Sequence, residues 1–181
     1  PIEFKGAYHL QGAAFWNSLR LTLENFEPSD RRVLVFIHGY NNSFVEAAQR
    51  TAQIWADIGV RGVPAFFSWP SKGGTSGIFH YIADEAAIEA SEEYLAEFLI
   101  GIRDQIQAKD VHVIAHSMGN RALLRVVSSA TEAAEGKTGK KFSQIFLAAP
   151  DIDLDVFNRL AGAYHNAAER TTLYVSKKDR A

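Results

Sequence analysis

One stretch constrains the fold more than any other: VHVIAHSMGNRALLRVV, residues 111–127. Val111 to Ala115 is a mostly apolar, β-branched run of the kind that forms a strand buried on both faces. An amphipathic helical pattern begins at about Gly119 and runs to Thr131. Only His116, Ser117 and Met118 separate the two. A corner that short strains the backbone of its apex residue and demands small neighbours two positions to either side. Ala115 and Gly119 stand there. The order strand, small residue, x, Ser, x, Gly, helix fits a nucleophile elbow with alanine in place of the first glycine. Such a turn exposes the Ser117 hydroxyl, aims the Met118 backbone N–H at a substrate oxygen, and adds the positive end of the new helix. A serine before a helix also serves as a plain N-cap, but the whole context is far more specific than a cap. Ser117 is therefore the candidate nucleophile.

The rest of the chain repeats the strand-then-helix pattern. Phe15, Leu19, Leu23 and Phe26 have helical spacing, and VLVFI (33–37) reads as a buried strand. Val45 to Ile58 reads as a helix stopped by Gly59, and VPAFFSWP (63–70) as a strand ended by Pro70. SKGGTSG is a flexible loop. A long helix is predicted from about Asp84 to Gln107, with Leu95, Phe98, Leu99, Ile102 and Ile106 as its apolar stripe. QIFLAAP (144–150) and TTLYVS (171–176) are the last strands, around a helix over Leu154 to Ala168. Strands alternating with helices imply right-handed crossovers and a mostly parallel sheet with helices on both faces. No repeat or linker interrupts the pattern, so residues 1–181 are read as a single domain.

Function in such a sheet collects at the carboxyl ends of the strands. HGYNN (38–42), HSMGN (116–120), PDIDLD (150–155) and SKKD (176–179) all fall there. A developing oxyanion needs two donors. Gly39 permits a sharp turn that leaves the Tyr40 N–H as the partner of the Met118 N–H, and His38 is then a structural residue tying the loop down. Asn41-Asn42-Ser43 is formally a glycosylation sequon, an improbable use of a site mouth. FFSWPSKGGTSGIFHY (66–81) is either part of a substrate pocket or lid, walled by Trp69, Phe79 and Tyr81, or an aromatic sheet edge with a surface loop.

Composition excludes several other classes. A net charge of −2 with interspersed signs gives no footprint for nucleic acid or an anionic membrane. No run approaches the roughly 18 apolar residues of a membrane span. With no cysteine, disulfides, thiolate metal sites and a thiol nucleophile are excluded. No His/Asp/Glu cluster has metal-ligand spacing. EGKTGKK lacks the spacing of a phosphate-binding loop and follows a helix instead of opening one. No cofactor is expected.

The order VLVFIHGYNNSF, FFSWPS, VHVIAHSMGNRAL, IFLAAPDID, LYVSKKDRA resembles the α/β-hydrolase superfamily. More narrowly it resembles a bacterial family of α/β hydrolases of unknown function with an HGYNN-type oxyanion loop and an HSMGN elbow. The resemblance covers about Phe15 to Ala181. It implies an α/β-hydrolase fold and a Ser–acid–His triad in that chain order, with Ser117 as nucleophile, Tyr40 and Met118 as oxyanion donors, and an acid after TTLYV, which lands on Asp179. Asp151 and Asp153 stay open as alternative acids, against a plain reading as N-caps of the next helix; for Asp179 the plain reading is a solvated charge beside Lys177 and Lys178.

The base is the open place. The fold puts its histidine after a further strand, whereas Ala181 follows Asp179 by two residues. His9, His38, His112 and His116 are poorly placed by sequence, and His80 and His165 are where the fold does not put its base. With Pro1 also not an initiator residue, the chain is expected to be a segment of something longer, incomplete at its C-terminus and lacking the catalytic histidine. The expected activity is hydrolysis of a small-molecule carboxylic ester or thioester, with amidase and lipid acylhydrolase chemistry as neighbours. A non-catalytic α/β-hydrolase-like binding or interaction domain is the rival class. Compartment, cytoplasmic or exported, and oligomeric state are left open.

Overall fold

A computed structural model describes residues 2–72, 78–133 and 140–175. Helix α1 (Ala13–Glu24) precedes β1 (Arg32–Ile37), α2 (Phe44–Ile58) and β2 (Val63–Phe67). Helices α3 (Ile78–Glu89) and α4 (Glu92–Asp104) lead to β3 (Asp110–His116) and α5 (Gly119–Ala133). Strand β4 (Phe142–Ala148), α6 (Leu154–Leu160), α7 (Tyr164–Ala167) and β5 (Ala168–Tyr174) complete the order. The five strands form one parallel sheet in the order β2-β1-β3-β4-β5. The connection from β1 moves one way to β2, and the next moves back past β1 to β3. That reversal makes the carboxyl ends of β1 and β3 the switch point, where an open parallel sheet has its natural crevice. The register keeps the ends level: Ile37 pairs with Ala115, Ala115 with Leu147, and Ala148 with Tyr174. His38 and Ser117 therefore leave the sheet side by side.

Alternation along the strands divides the sheet's two faces. Val33, Val35, Ile37, Val111, Val113, Ala115, Ile145 and Leu147 join one core cluster with Leu95, Leu99, Ile102, Leu123 and Leu124 from α4 and α5. Right-handed crossovers put α4, α5 and α7 on that face and α2 on the other. Trp16 of α1 packs so close to Gly101 of α4 that a Cβ there would lie 2.3 Å from the indole. Truncating one of the buried leucines to alanine costs about 2–5 kcal/mol in such a core. The second face carries His112, Ile114, Gln144, Phe146 and Ala148, which with Trp55 and Ile58 of α2 and Tyr174 line a shallow apolar groove of about 430 Å³.

Several boundaries differ from the sequence reading, each for a local reason. The long helix expected from Asp84 begins six residues earlier, at Ile78, and breaks at Ala90. Ser91 turns its hydroxyl back to the Ala87 carbonyl (2.7 Å), and the acidic Glu92 and Glu93 open a fresh helix. Strand β2 stops at Phe67, before Trp69, because the Trp69 N–H donates to the His38 ring instead of a neighbouring strand. The last helix is interrupted by a 3-10 turn over Ala161–Ala163, and β5 starts at Ala168, earlier than expected. Gly59 ends α2 in the left-handed conformation, as its position predicts. The expected loop EGKTGKK lies mostly outside the described residues.

Candidate active site

Ser117 occupies the corner between β3 and α5 with φ 49°, a left-handed backbone that a side-chain-bearing residue adopts at a cost of about 1–3 kcal/mol. The surroundings hold it there. Its N–H donates to the Ala148 carbonyl (3.0 Å). Its own carbonyl accepts from the Asn120 N–H (3.0 Å), the Asn120 side-chain amide (3.0 Å) and the Asp151 N–H (3.3 Å). The fully buried Asn120 amide also reaches the Ala148 carbonyl (3.3 Å). At about 0.5–1.5 kcal/mol net each, these bonds together offset the strain.

The end of β1 is pressed against this corner. A Cβ on Gly39 would sit 2.8 Å from the Ser117 Cβ, and one on Gly119 would sit 2.6 Å from the His38 carbonyl oxygen. Both glycines are thus required by close approach, and the backbones of Tyr40 and Met118 follow directly from it. His38 is fully buried and does hold the loop. Its Nδ1 faces the Gly39 carbonyl (2.9 Å), which can only accept, so Nδ1 carries the proton. Nε2 then accepts from the Trp69 N–H (3.2 Å), and the Trp69 indole stacks on the ring while donating to the His38 carbonyl (2.9 Å). Burial pushes the imidazole below its ordinary value of 6.5.

A second tie comes from Asp84, whose residue is fully buried. Its carboxylate accepts from the Ser71 hydroxyl (2.5 Å), the Lys72 N–H (2.9 Å) and the Asn41 N–H (3.4 Å). The loop after β1 is fastened to the segment after β2 through one anion. Trp69 is buried on His38 and so is no exposed pocket wall, Phe79 is largely exposed, and the glycines of that stretch lie outside the described residues.

On the other flank, Arg121, four residues beyond Ser117, organises a polar cluster. Its Nε donates to the Asp151 carbonyl (2.6 Å), and Nη2 donates to Asp151 Oδ1 (3.0 Å) and the Tyr81 hydroxyl (2.6 Å). Nη1 pairs with Glu85. The Tyr81 hydroxyl donates to Asp151 Oδ2 (2.7 Å), and partial burial followed by that carboxylate pushes its pKa up to about 12. Both oxygens of Asp151 are thus engaged. Asp153 is the N-cap of α6, accepting from the Asp155 and Val156 N–H groups. Asp179 lies outside the described residues.

The histidines are scattered. His165 lies on α7 just before β5, at the amino end of the sheet and so at the far end from Ser117. His112 lines the groove on the α2 face, its pKa lowered by burial. His80 is half-buried on α3, while His116 and His9 are exposed. Among the described residues, no group of three or more His, Asp or Glu side chains is placed to hold a metal ion, and no helix is long and apolar enough to cross a membrane. Sequence reasoning missed Asp84, Glu85 and Arg121, and considered Tyr81 only as a pocket wall. Their signal was present as the i, i+3, i+4 spacing of Tyr81, Asp84 and Glu85, masked by starting that helix at Asp84.

A five-stranded parallel sheet in this order, with a positive-φ serine closing the strand beside the switch point, defines an α/β fold of the hydrolase type. The chain belongs to the family described as alpha/beta hydrolase of unknown function (DUF900), which matches residues 17–181. Comparison with curated proteins and with solved structures returned no match.

Proposed function

We propose that this protein is a serine hydrolase that cleaves carboxylic esters or thioesters of small molecules. Ser117 Oγ attacks the carbonyl carbon, and the backbone N–H groups of Tyr40 and Met118 hold the oxygen as it becomes negative. A histidine acting as general base takes the serine proton and returns it to the leaving alcohol or thiol, and water then releases the acyl group by the same steps in reverse. Asp179 orients that histidine. This assignment is favoured over Asp151, whose two oxygens serve Arg121 and Tyr81, and over Asp153, which caps α6. Asp179 also follows β5, whose last residue pairs with Ala148 at the same carboxyl edge as Ser117.

The observation that carries the reading is the left-handed Ser117 at the end of β3, packed against Gly39 closely enough to forbid a Cβ there. A plain helix cap needs neither the strained apex nor the second loop. The test is hydrolysis of p-nitrophenyl butyrate by the full-length protein and its Ser117→Ala variant. The reading requires turnover that drops by about 10³-fold or more in the variant. Equal rates in both, or no turnover on esters and thioesters of any chain length, would overturn it.

A further inference from the structure

Helix α3 meets the site twice. Tyr81, Asp84 and Glu85 stand at i, i+3 and i+4 and so share one face. Asp84 fastens the loop after β1 at Asn41. Tyr81 and Glu85 reach the opposite flank, where they meet Arg121 on the helix that Ser117 begins. The Tyr81 ring also lies edge-on against the ring of Tyr40, with centroids 5.5 Å apart. Tyr40 is therefore joined to the elbow helix through one intermediate side chain.

We propose that Arg121 is a positioning residue for the oxyanion loop: by holding the Tyr81 hydroxyl it keeps that ring against Tyr40, and so fixes the Tyr40 N–H relative to the serine four residues before Arg121. An ordinary surface ion pair contributes little. This one differs in geometry. From α5, one planar guanidinium addresses two further elements, namely α3 through Tyr81 and Glu85 and the loop after β4 through Asp151. Asp151 in turn donates its N–H to the Ser117 carbonyl (3.3 Å), so the same fork also steadies the elbow. Lysine keeps the charge but not the fork.

The catalytic consequence rests on the hydrolase reading above; the structural one does not. An oxyanion donor acts mainly in the transition state, so its misplacement lowers kcat while leaving KM in place. The test uses the full-length protein with Arg121→Lys, Tyr81→Ala and Tyr81→Phe. Arg125→Lys, on the next turn of the same helix and paired with Glu89 and Glu92, is the control. Four quantities are read: the Tyr40 backbone amide resonance, kcat and KM on p-nitrophenyl butyrate, and the folded fraction.

Expected is a shifted Tyr40 amide in Arg121→Lys and Tyr81→Ala, with kcat down about 10- to 100-fold in folded protein and KM within about twofold. Tyr81→Phe, which keeps the ring, falls between these and the wild type, and Arg125→Lys matches the wild type. An unmoved Tyr40 amide in Arg121→Lys and Tyr81→Ala overturns the proposal, as does a kcat loss that only tracks unfolding. If the wild type lacks Ser117-dependent turnover, the hydrolase reading fails and the Tyr40 amide alone decides the positioning role.

Discussion

Asp84 and Asp151 flank the same serine corner and are held in opposite ways. Asp84 is fully buried and, among the described residues, accepts from uncharged donors: one hydroxyl and two backbone N–H groups. Asp151 is partly open to solvent and faces a guanidinium and a phenol. The first is an anion that shapes two loops at once, so its removal leaves one hydroxyl and two backbone N–H groups without their acceptor. The second is part of a charged network whose members partly compensate for one another in a higher dielectric. Their contrast teaches that the loop after β1 is set by burial and the elbow flank by charge geometry, and the two should respond differently to mutation, salt and pH.

The largest expected effect is at Asp84. Asp84→Ala should cost about 3 kcal/mol in urea unfolding, since each stranded buried donor costs about 1–3 kcal/mol and water can relieve only part of it. Asp84→Asn should recover part of that loss. Asp151→Ala should cost about 1–2 kcal/mol, with a coupling to Arg121 that shrinks in high salt. If Asp151→Ala proved the more damaging and salt-independent, the contrast would be wrong. Next in size is Gly39→Ala, expected to cost about 1–3 kcal/mol by overpacking against Ser117 and to lower turnover beyond that.

The smallest effect concerns pH. Burial lowers the His38 pKa below 6.5, so the unfolded chain binds a proton that the folded protein does not. Stability is therefore full above about pH 6.5 and declines as pH falls from there towards the folded value. Asp84 is the charged neighbour that opposes this shift, and His112, lowered in the same way, adds to the decline. His38→Gln should flatten the thermal-stability profile below about pH 6.5 without abolishing it. A slope unchanged from the wild type would assign the whole acid response elsewhere.

What the sequence made legible was whatever depends on neighbours along the chain. The buried strands β1 and β3, the stop at Gly59, and the corner with Ala115 and Gly119 around Ser117 are all local patterns, and the structure has them. The parallel sheet with helices on both faces and the role of His38 as a tie also followed, because strand-helix alternation forces right-handed crossovers and puts the polar clusters at the strand ends. Illegible were the bonds across elements. Nothing local says that Arg121 would meet Tyr81 forty positions earlier, or that Ser71 and Asn41 would share the Asp84 carboxylate. Trp69 stayed open between a pocket wall and an aromatic sheet edge for the same reason: only the His38 ring in space makes it a buried stacking partner.

The central claim is that Ser117 is the nucleophile. Its most direct test is labelling of the full-length protein with a fluorophosphonate, followed by peptide mass spectrometry. The account predicts one adduct, on the peptide carrying Ser117, lost in Ser117→Ala and reduced in Arg121→Lys. An adduct on a different residue, or none while esters are still hydrolysed, would contradict it.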